Sequence, residues 1–249
     1  MELNPLAEKI LSDLEPYFLE GYGVTGSNSY KLLIPGISNK PIKDIDFVAY
    51  PLKKQNVNLI NKNITNKFYV TRIFLTIRGY QLGLVHKDIG CWVDIFPRTQ
   101  EPLFKVITDK GREIRLHMVE EIAYGICVAT LEKVSGQRSK TVEKNHLDTL
   151  KLLAPYINPE VIKKVVDANL SQNEYMAKTF GKIINTPKII QYVIENYSPY
   201  NPPGYNLKSY PSNQAVMPNG LSVEEPAIYN RAMEHHSKYL ASRRIGNSE

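Results

Sequence analysis

The spacing of hydrophobic positions changes near residue 119, and this change predicts two structural halves. Before it, short β-branched and aromatic runs alternate with turn residues, which is typical of strands. An opening helix is predicted before these runs, because Ile10, Leu11 and Leu14 follow the helical period. After it, apolar residues recur at three- and four-residue spacing, which predicts amphipathic helices. We therefore expect an α/β domain at residues 1–118 and a helical domain at residues 119–249.

Turn and cap residues set the limits of the predicted elements. Asn4-Pro5 and Asn158-Pro159 are typical helix starts, and Pro35-Gly36 is a typical helix end. The predicted strands span residues 22–25, 45–50, 68–77, 80–86 and 91–96, and the last three are expected to form a meander. The predicted helices span residues 5–18, 30–34, 52–63, 119–133, 142–153, 159–170, 174–185, 187–196 and 224–244. Residues 198–220 are rich in proline and glycine, which predicts a loop.

Composition and cysteine use narrow the class of protein. The 249 residues are 43% hydrophobic, which is enough to bury one or two cores. No apolar run is long enough to span a bilayer, and Glu2 stands where a secretory signal carries basic residues. We therefore expect a cytoplasmic protein with no membrane association. Cys91 and Cys127 have no Cys or His neighbour at zinc-ligand spacing, which predicts two buried thiols.

Charge is unevenly distributed although the net charge is only +6. Between Phe47 and Lys87 there is no Asp or Glu. An unopposed basic segment of this kind suits a polyanion such as a nucleoside triphosphate or an RNA backbone. The alternative is that each lysine lines a solvated face. The basic residues of this segment are Lys53, Lys54, Lys62, Lys67, Arg72, Arg78 and Lys87.

Candidate chemistry concentrates in one strand and one turn. Asp44 and Asp46 lie two residues apart on a predicted strand, so both carboxylates project from the same face. Like charges at that spacing are stabilised by a cation between them, and a divalent metal is the obvious candidate. Gly26-Ser27, at a predicted strand-to-helix turn, offers backbone N–H groups to a phosphate. A third acid, Asp94, lies in a later strand.

Together, Gly26-Ser27, Asp44-Ile45-Asp46 and Asp94 resemble the nucleotidyltransferase superfamily. That superfamily includes DNA polymerase β, tRNA-tailing enzymes and antibiotic nucleotidyltransferases. Residues 24–33 and 43–47 are similar to the AbiEii-type branch, whose members include the toxins of type IV toxin–antitoxin systems. Two features depart from that branch: residues 28–30 are bulkier than the small residues usual after the turn, and Asn145 stands where an acid is usual.

The resemblance implies an α+β fold, with a mixed β-sheet and flanking helices of the nucleotidyltransferase type, followed by an α-helical C-terminal half. Asp44, Asp46 and Asp94 would hold one or two Mg²⁺ ions, and Asp94 could instead accept a proton. The other implied roles concern the nucleotide. Gly26 and Ser27 would contact the triphosphate, Lys144 would neutralise phosphate charge, and Asp148 would orient that lysine. The helical domain would complete the nucleotide and acceptor site.

The predicted function is Mg²⁺-dependent transfer of a nucleotide monophosphate from an NTP to an acceptor hydroxyl. The expected acceptor is tRNA or another RNA, and an antitoxin protein is a further expected partner of a toxin-like enzyme. One alternative has an antibiotic or metabolite hydroxyl as acceptor. Another keeps the fold as a non-catalytic nucleotide- or RNA-binding module. His235 and His236 are adjacent on the closing helix and point in different directions, which predicts a surface role rather than a shared metal.

Overall fold

The structure, a computed structural model, describes residues 5–17, 21–38, 44–50, 64–76, 79–98, 100–134, 141–170, 174–200 and 226–245. The chain divides into two compact units. The first unit comprises Met1–His117 together with Leu207–Glu249, and the second comprises Met118–Asn206. The closing helix is grouped with the first unit, together with the sheet.

A seven-stranded mixed sheet forms the first unit, in the order β3-β4-β5-β2-β1-β7-β6. Strand β2 pairs antiparallel with β1 and parallel with β5, and β1 pairs parallel with β7. Strands β3, β4 and β5 form the predicted antiparallel meander, which is confirmed. The strands are β1 (Tyr22–Thr25), β2 (Asp44–Ala49), β3 (Phe68–Thr76), β4 (Gly79–His86), β5 (Trp92–Pro97), β6 (Phe104–Asp109) and β7 (Arg112–His117).

The hairpin of β6 and β7 was not among the predicted elements. Its strands are joined by Lys110 and Gly111, whose φ angles are +50° and +81°. Both angles lie in the left-handed region that a tight hairpin turn needs. The Asp109-Lys110-Gly111 sequence was therefore the available signal for this hairpin.

Two helices of the N-terminal part pack on the sheet. Helix α1 (Pro5–Leu14) buries the predicted apolar stripe, with Ile10 and Leu14 at most 1% exposed. That stripe joins one core with Ile45 and Phe47 of β2 and with inward residues of β3, β4 and β5. Helix α2 (Gly26–Leu33) begins directly after β1, four residues earlier than predicted. Since Ile45 and Phe47 face α1, the residues that alternate with them face the opposite side of the sheet.

The closing helix of the chain spans Pro226–Ile245 and is called α3, because it is the third helix of the first unit. It packs against β3 and β4. The Nδ1 atoms of His235 and His236 lie 3.0 Å from the carbonyl oxygens of Lys87 and Gly90, respectively. These two hydrogen bonds anchor the helix to the β4–β5 turn. The histidines therefore serve in anchoring, and the expected surface role was wrong. Their rings do point to different partners, as adjacent helical positions require.

The second unit is mainly helical. Its helices are α4 (Val119–Val134), α5 (Lys144–Leu153), α6 (Pro159–Ala168), α7 (Glu174–Phe180) and α8 (Ile189–Asn196). Short parallel strands β8 (Thr141–Glu143) and β9 (Ser198–Tyr200) pair with each other. The predicted cap of α6 is confirmed, because Asn158 Oδ1 accepts hydrogen bonds from two backbone N–H groups of the first turn.

The predicted fold class is confirmed: an α+β protein with a mixed sheet and flanking helices, followed by a helical region. The predicted helix 174–185 changes to 3₁₀ geometry at Gly181, whose φ is +67°. The predicted helix 52–63 and all but the first three residues of the predicted loop 198–220 lie outside the described residues. No helix in the described part of the chain combines the length and apolar character needed to cross a membrane.

Candidate active site

The carboxylates of β2 lie on the face of the sheet opposite α1. Asp44 is exposed and Asp46 is half-buried, whereas Ile45 and Phe47 between and beyond them are fully buried. This alternation is the period of two that the sequence predicted. Both acids therefore share one face, as expected.

Asp94 belongs to the same face through the strand register. It lies in β5, which runs parallel to β2, and its Cα is the direct partner of that of Asp46. Neighbouring strands lie roughly 4.8 Å apart, and residues in register project to the same side. Asp44, Asp46 and Asp94 are therefore neighbours on one surface. Among the described residues, however, no three acid, histidine or cysteine side chains stand close enough together to hold a metal ion.

Gly26 brings the turn after β1 against this surface. Its φ is +62°, and a Cβ atom placed on it would lie 2.4 Å from Asp46 Oδ2. A glycine is therefore required twice, once for the backbone conformation and once for the close approach of the carboxylate. Thr25, the residue before it, is in register with Asp46. The turn that was predicted to contact phosphate thus lies directly beside one of the predicted metal ligands.

A buried polar network supports the turn from behind. Thr25 Oγ1 and His117 Nδ1 lie 2.7 Å apart and share a hydrogen bond. Ser29 donates a hydrogen bond of 2.7 Å to the carbonyl oxygen of His117. Ser29 and His117 are fully buried. These bonds fix the beginning of α2 to the end of β7, so the turn is held by the sheet on both sides. The sequence alone does not point to His117, because nothing local connects it with Thr25, 92 positions earlier.

Two of the bulkier residues after the turn also contribute to the site. Asn28 donates a hydrogen bond of 3.0 Å from Nδ2 to the backbone carbonyl of Asp44. Its own Oδ1 is buried and has no hydrogen-bond partner in the described part of the structure. Burial raises the pKa of the Tyr30 phenol, and the charges of Asp44 and Asp46 raise it further. Asn28 therefore ties α2 to the carboxylate strand, and the Tyr30 phenol lies within the electrostatic influence of both carboxylates.

Lys144 and Asp148 belong to the second unit. They lie one helical turn apart on α5, and Lys144 Nζ donates to Asp148 Oδ2 at 2.9 Å. Both side chains are more than a third exposed. This pair has the geometry that the sequence implied for an oriented lysine, and its role in binding phosphate stays a prediction.

Only part of the basic segment is described. Lys53, Lys54, Lys62 and Arg78 lie outside the described residues. Lys87 donates to the carbonyl oxygen of Thr65 and stands 5.1 Å from the centre of the Tyr69 ring. Lys87 is therefore engaged locally, and a contact with a polyanion stays a prediction for the segment.

The residues on this face suit a magnesium ion in two respects. Carboxylate oxygens are the ligands that Mg²⁺ prefers, and Asp44, Asp46 and Asp94 supply them. The contact of Asp46 with Gly26 leaves backbone N–H groups of the turn beside that donor set. The residues therefore fit Mg²⁺ in the type of ligand atom they supply and in the strand register that places them on one face. The side chains as they stand do not gather around a common point.

A pocket of about 560 Å³ lies at the other end of β1, and it does not include the carboxylate face. It opens beside Tyr22, whose hydroxyl donates to Glu15. Glu15 also accepts from Arg112, so these two charged groups of the pocket lining pair with each other. The pocket is lined by Leu11, Glu15, Gly21, Tyr22, Gly23, Val24, Glu101, Arg112, Glu113, Ile114 and Arg115.

Comparison with known proteins gives structural neighbours but no family. No family model matches the sequence, and no curated protein matches it. An antigenic nucleotidyltransferase-like protein from Paracoccidioides brasiliensis is 14% identical, with a TM-score of 0.41, over 77% of this chain and 97% of that one. The antibiotic-resistance factor ANT(2'')-Ia is 14% identical, with a TM-score of 0.44, over 70% of this chain and 94% of that one. JHP933 from Helicobacter pylori is 15% identical, with a TM-score of 0.34, over 99% of both chains. At these values the likeness carries no inference about function.

Proposed function

We propose that the protein is a nucleotidyltransferase that moves a nucleotide monophosphate from an NTP to an acceptor hydroxyl, with RNA as the acceptor. One observation carries the proposal. Three carboxylates share one sheet face through the register of β2 and β5, and the glycine turn at the start of α2 touches the middle one. This arrangement combines ligands for a cation with donors for a phosphate.

The reaction is an in-line phosphoryl transfer. The acceptor oxygen forms a bond to the α-phosphorus, the bond between the α-phosphorus and the bridging oxygen breaks, and pyrophosphate leaves. The proton of the acceptor hydroxyl has to be removed as the new bond forms. Asp94 is the proposed base when it is not a ligand, because it is half-buried and in register with Asp46.

Each proposed role follows from the chemistry of the residue. Asp44 and Asp46 would hold Mg²⁺, which would activate the acceptor hydroxyl and stabilise the charge of the leaving pyrophosphate. Gly26 and Ser27 would donate backbone N–H groups to the triphosphate at the positive end of α2. Lys144 would neutralise phosphate charge while Asp148 restrains it. Asn28 would hold Asp44 in place through the backbone carbonyl.

Transfer of label tests the proposal directly. The protein is incubated with each α-³²P-labelled NTP, Mg²⁺ and total cellular RNA, and the fraction that retains the label is identified. We expect label in RNA with at least one NTP. Label in a small-molecule fraction instead would favour an antibiotic or metabolite acceptor. NTP binding without release of pyrophosphate to any acceptor would favour a non-catalytic binding module.

Paired variants connect the activity to the carboxylate face. Asp44→Asn and Asp46→Asn keep the shape of each side chain and remove its charge, so we expect transfer to be lost while the melting temperature stays close to that of the wild type. Asp88→Asn is the matched control, because Asp88 is exposed and its carboxylate makes a loose surface ion pair with Lys9, at 3.7 Å. Transfer that survives in both site variants would contradict the proposed function.

A further inference from the structure

One row of residues crosses four strands on the carboxylate face. Tyr69 of β3 is in register with Val85 of β4, Val85 with Trp92 of β5, and Trp92 with Asp44 of β2. Residues in register on neighbouring strands project to the same side of a sheet. The row therefore runs from an aromatic residue at one edge of the meander to the exposed carboxylate of the site.

The closing helix α3 covers the first part of this row. The ring of His235 lies edge-on to Tyr69, with 5.5 Å between ring centres. The ring of His236 lies edge-on to Trp92, with 5.7 Å between ring centres. Val85, between those two aromatic residues, is fully buried. Asp44, the last member of the row, is exposed. Trp92 is half-buried, so it stands at the border between the covered sheet and the open site.

In the next row along the strands, the β4 position is a glycine. Asp46 is in register with Asp94, and Asp94 with Gly83 of β4. Gly83 carries no side chain and is itself buried. Trp92 thus has Asp44 beside it on β2, Val85 beside it on β4, and the ring of His236 in edge contact with it.

We propose that Trp92, in edge contact with the ring of His236, is a stacking surface for a nucleobase at this site. The inference rests on the proposed function and adds the place where a base is held. A tryptophan beside the proposed metal ligands is positioned for a base of the nucleotide or of the acceptor end. Aromatic side chains bind bases of any sequence by stacking, because every base has a flat π-face.

The role of His236 is to position the indole. It is fixed by the hydrogen bond to the carbonyl of Gly90 and is stacked against Tyr239, at 6.2 Å between ring centres and 25° between ring planes. Tyr239 is buried in the core of the first unit. The ring that contacts Trp92 is therefore held from two sides, and an indole packed against a fixed neighbour loses little freedom when a base stacks on it.

The tryptophan itself reports on the proposal, because the chain has only one. The fluorescence of the wild-type protein is followed during titration with each NTP in Mg²⁺, with a short single-stranded RNA, and with inorganic tripolyphosphate, which has no base. We expect a base-containing ligand to quench the emission and tripolyphosphate to bind without quenching. Quenching by the NTP would assign the base to the nucleotide, and quenching by the RNA alone would assign it to the acceptor.

Variants separate stacking from simple packing. Binding is measured by calorimetry, which does not need the indole. Trp92→Leu is expected to weaken binding of the base-containing ligand about tenfold, the order of magnitude of one lost base–aromatic stack, with the affinity for tripolyphosphate unchanged. Trp92→Phe should recover part of the loss. His236→Gln should weaken the same ligand, whereas His235→Gln should not, although glutamine can donate to the carbonyl oxygen at both positions.

The outcomes distinguish the stacking surface from the proposed function. Binding of NTP that is lost in Asp46→Asn but unchanged in Trp92→Leu would overturn the stacking surface and leave the transferase proposal intact. Equal loss in His235→Gln and His236→Gln would also overturn it, because the histidines would then act only as anchors. If calorimetry detects neither NTP nor tripolyphosphate nor RNA on the wild-type protein, both proposals fail.

Discussion

Gly26→Ala tests the contact on which the candidate active site depends. The new Cβ would lie 2.4 Å from Asp46 Oδ2, and an ordinary van der Waals contact begins at 3.4 Å, so the carboxylate has to move by about 1 Å. An alanine at a φ of +62° also costs about 1 to 2 kcal/mol of backbone strain. For a chain of this size that strain lowers the melting temperature by about 2 to 8 °C.

The two effects can be separated, because the carboxylate end of Asp46 can swing aside. The steric conflict should therefore add little to the loss of stability. Its effect should fall on the chemistry, since a displacement of about 1 Å in a reacting group can lower a rate by roughly 100-fold. We expect Gly26→Ala to lose about that much transfer activity and to bind Mn²⁺, measured by electron paramagnetic resonance as a probe of the metal site, more weakly.

Gly111→Ala is the matched control. Gly111 has a φ of +81°, and a Cβ atom there would meet nothing within 4 Å. Its alanine variant should lose a similar amount of stability by differential scanning fluorimetry and keep full transfer activity and Mn²⁺ affinity. If Gly26→Ala behaves like Gly111→Ala in all three measurements, the contact between the turn and the carboxylate has no functional role, and the reasoning is wrong.

Three further predictions concern stability. Burial first, and then the hydrogen bond to Glu15 and its charge, raise the pKa of Tyr22 to about 12 from 10.0. The stabilising contribution of the Tyr22 hydroxyl is therefore full below pH 10 and is lost as the pH rises toward 12. The difference in unfolding free energy between the wild type and Tyr22→Phe, measured by urea unfolding, should be smaller at pH 11 than at pH 8. Thr25→Val leaves His117 Nδ1 without its 2.7 Å partner and should lower the unfolding free energy by about 1 to 3 kcal/mol; Thr25→Ser keeps the hydroxyl, and equal midpoints for both variants would refute the role of that bond. Gly90→Ala would put a Cβ atom 2.4 Å from the backbone oxygen of His235, so hydrogen exchange over residues 226–245 should become faster. Gly36→Ala is the control, because its Cβ atom would lie in open space and exchange should not change. Unchanged exchange in Gly90→Ala would show that the anchor tolerates the change.

The parts of the fold that follow local rules could be predicted from the sequence. The alternation of Asp44, Ile45, Asp46 and Phe47 gave the strand and the shared face of the two acids, because side-chain direction has a period of two. Asn158-Pro159 marked the start of a helix for an equally local reason: its side chain caps the first turn.

Features that depend on contacts far apart in the sequence were missed. The hydrogen bond of Thr25 to His117 joins residues 92 positions apart. His235 and His236 find their acceptors 148 and 146 positions earlier in the chain. Asn28 was noticed only as a bulky departure, because its bond to the carbonyl of Asp44 depends on how α2 lies along β2. No local pattern encodes these contacts, since each one is fixed by how elements far apart in the sequence pack in the folded chain.

The grouping of the closing helix with the sheet has a consequence for synthesis of the chain. The ribosome makes residues 1–117 first, but the helix that covers Tyr69 and Val85 is not complete until residue 245 has been added. The 89 residues of Met118–Asn206 are made in between and can reach their own fold earlier. The apolar surface over the meander therefore stays uncovered through most of translation. We expect nascent chains that stall before the last helix to be bound by chaperones at this surface.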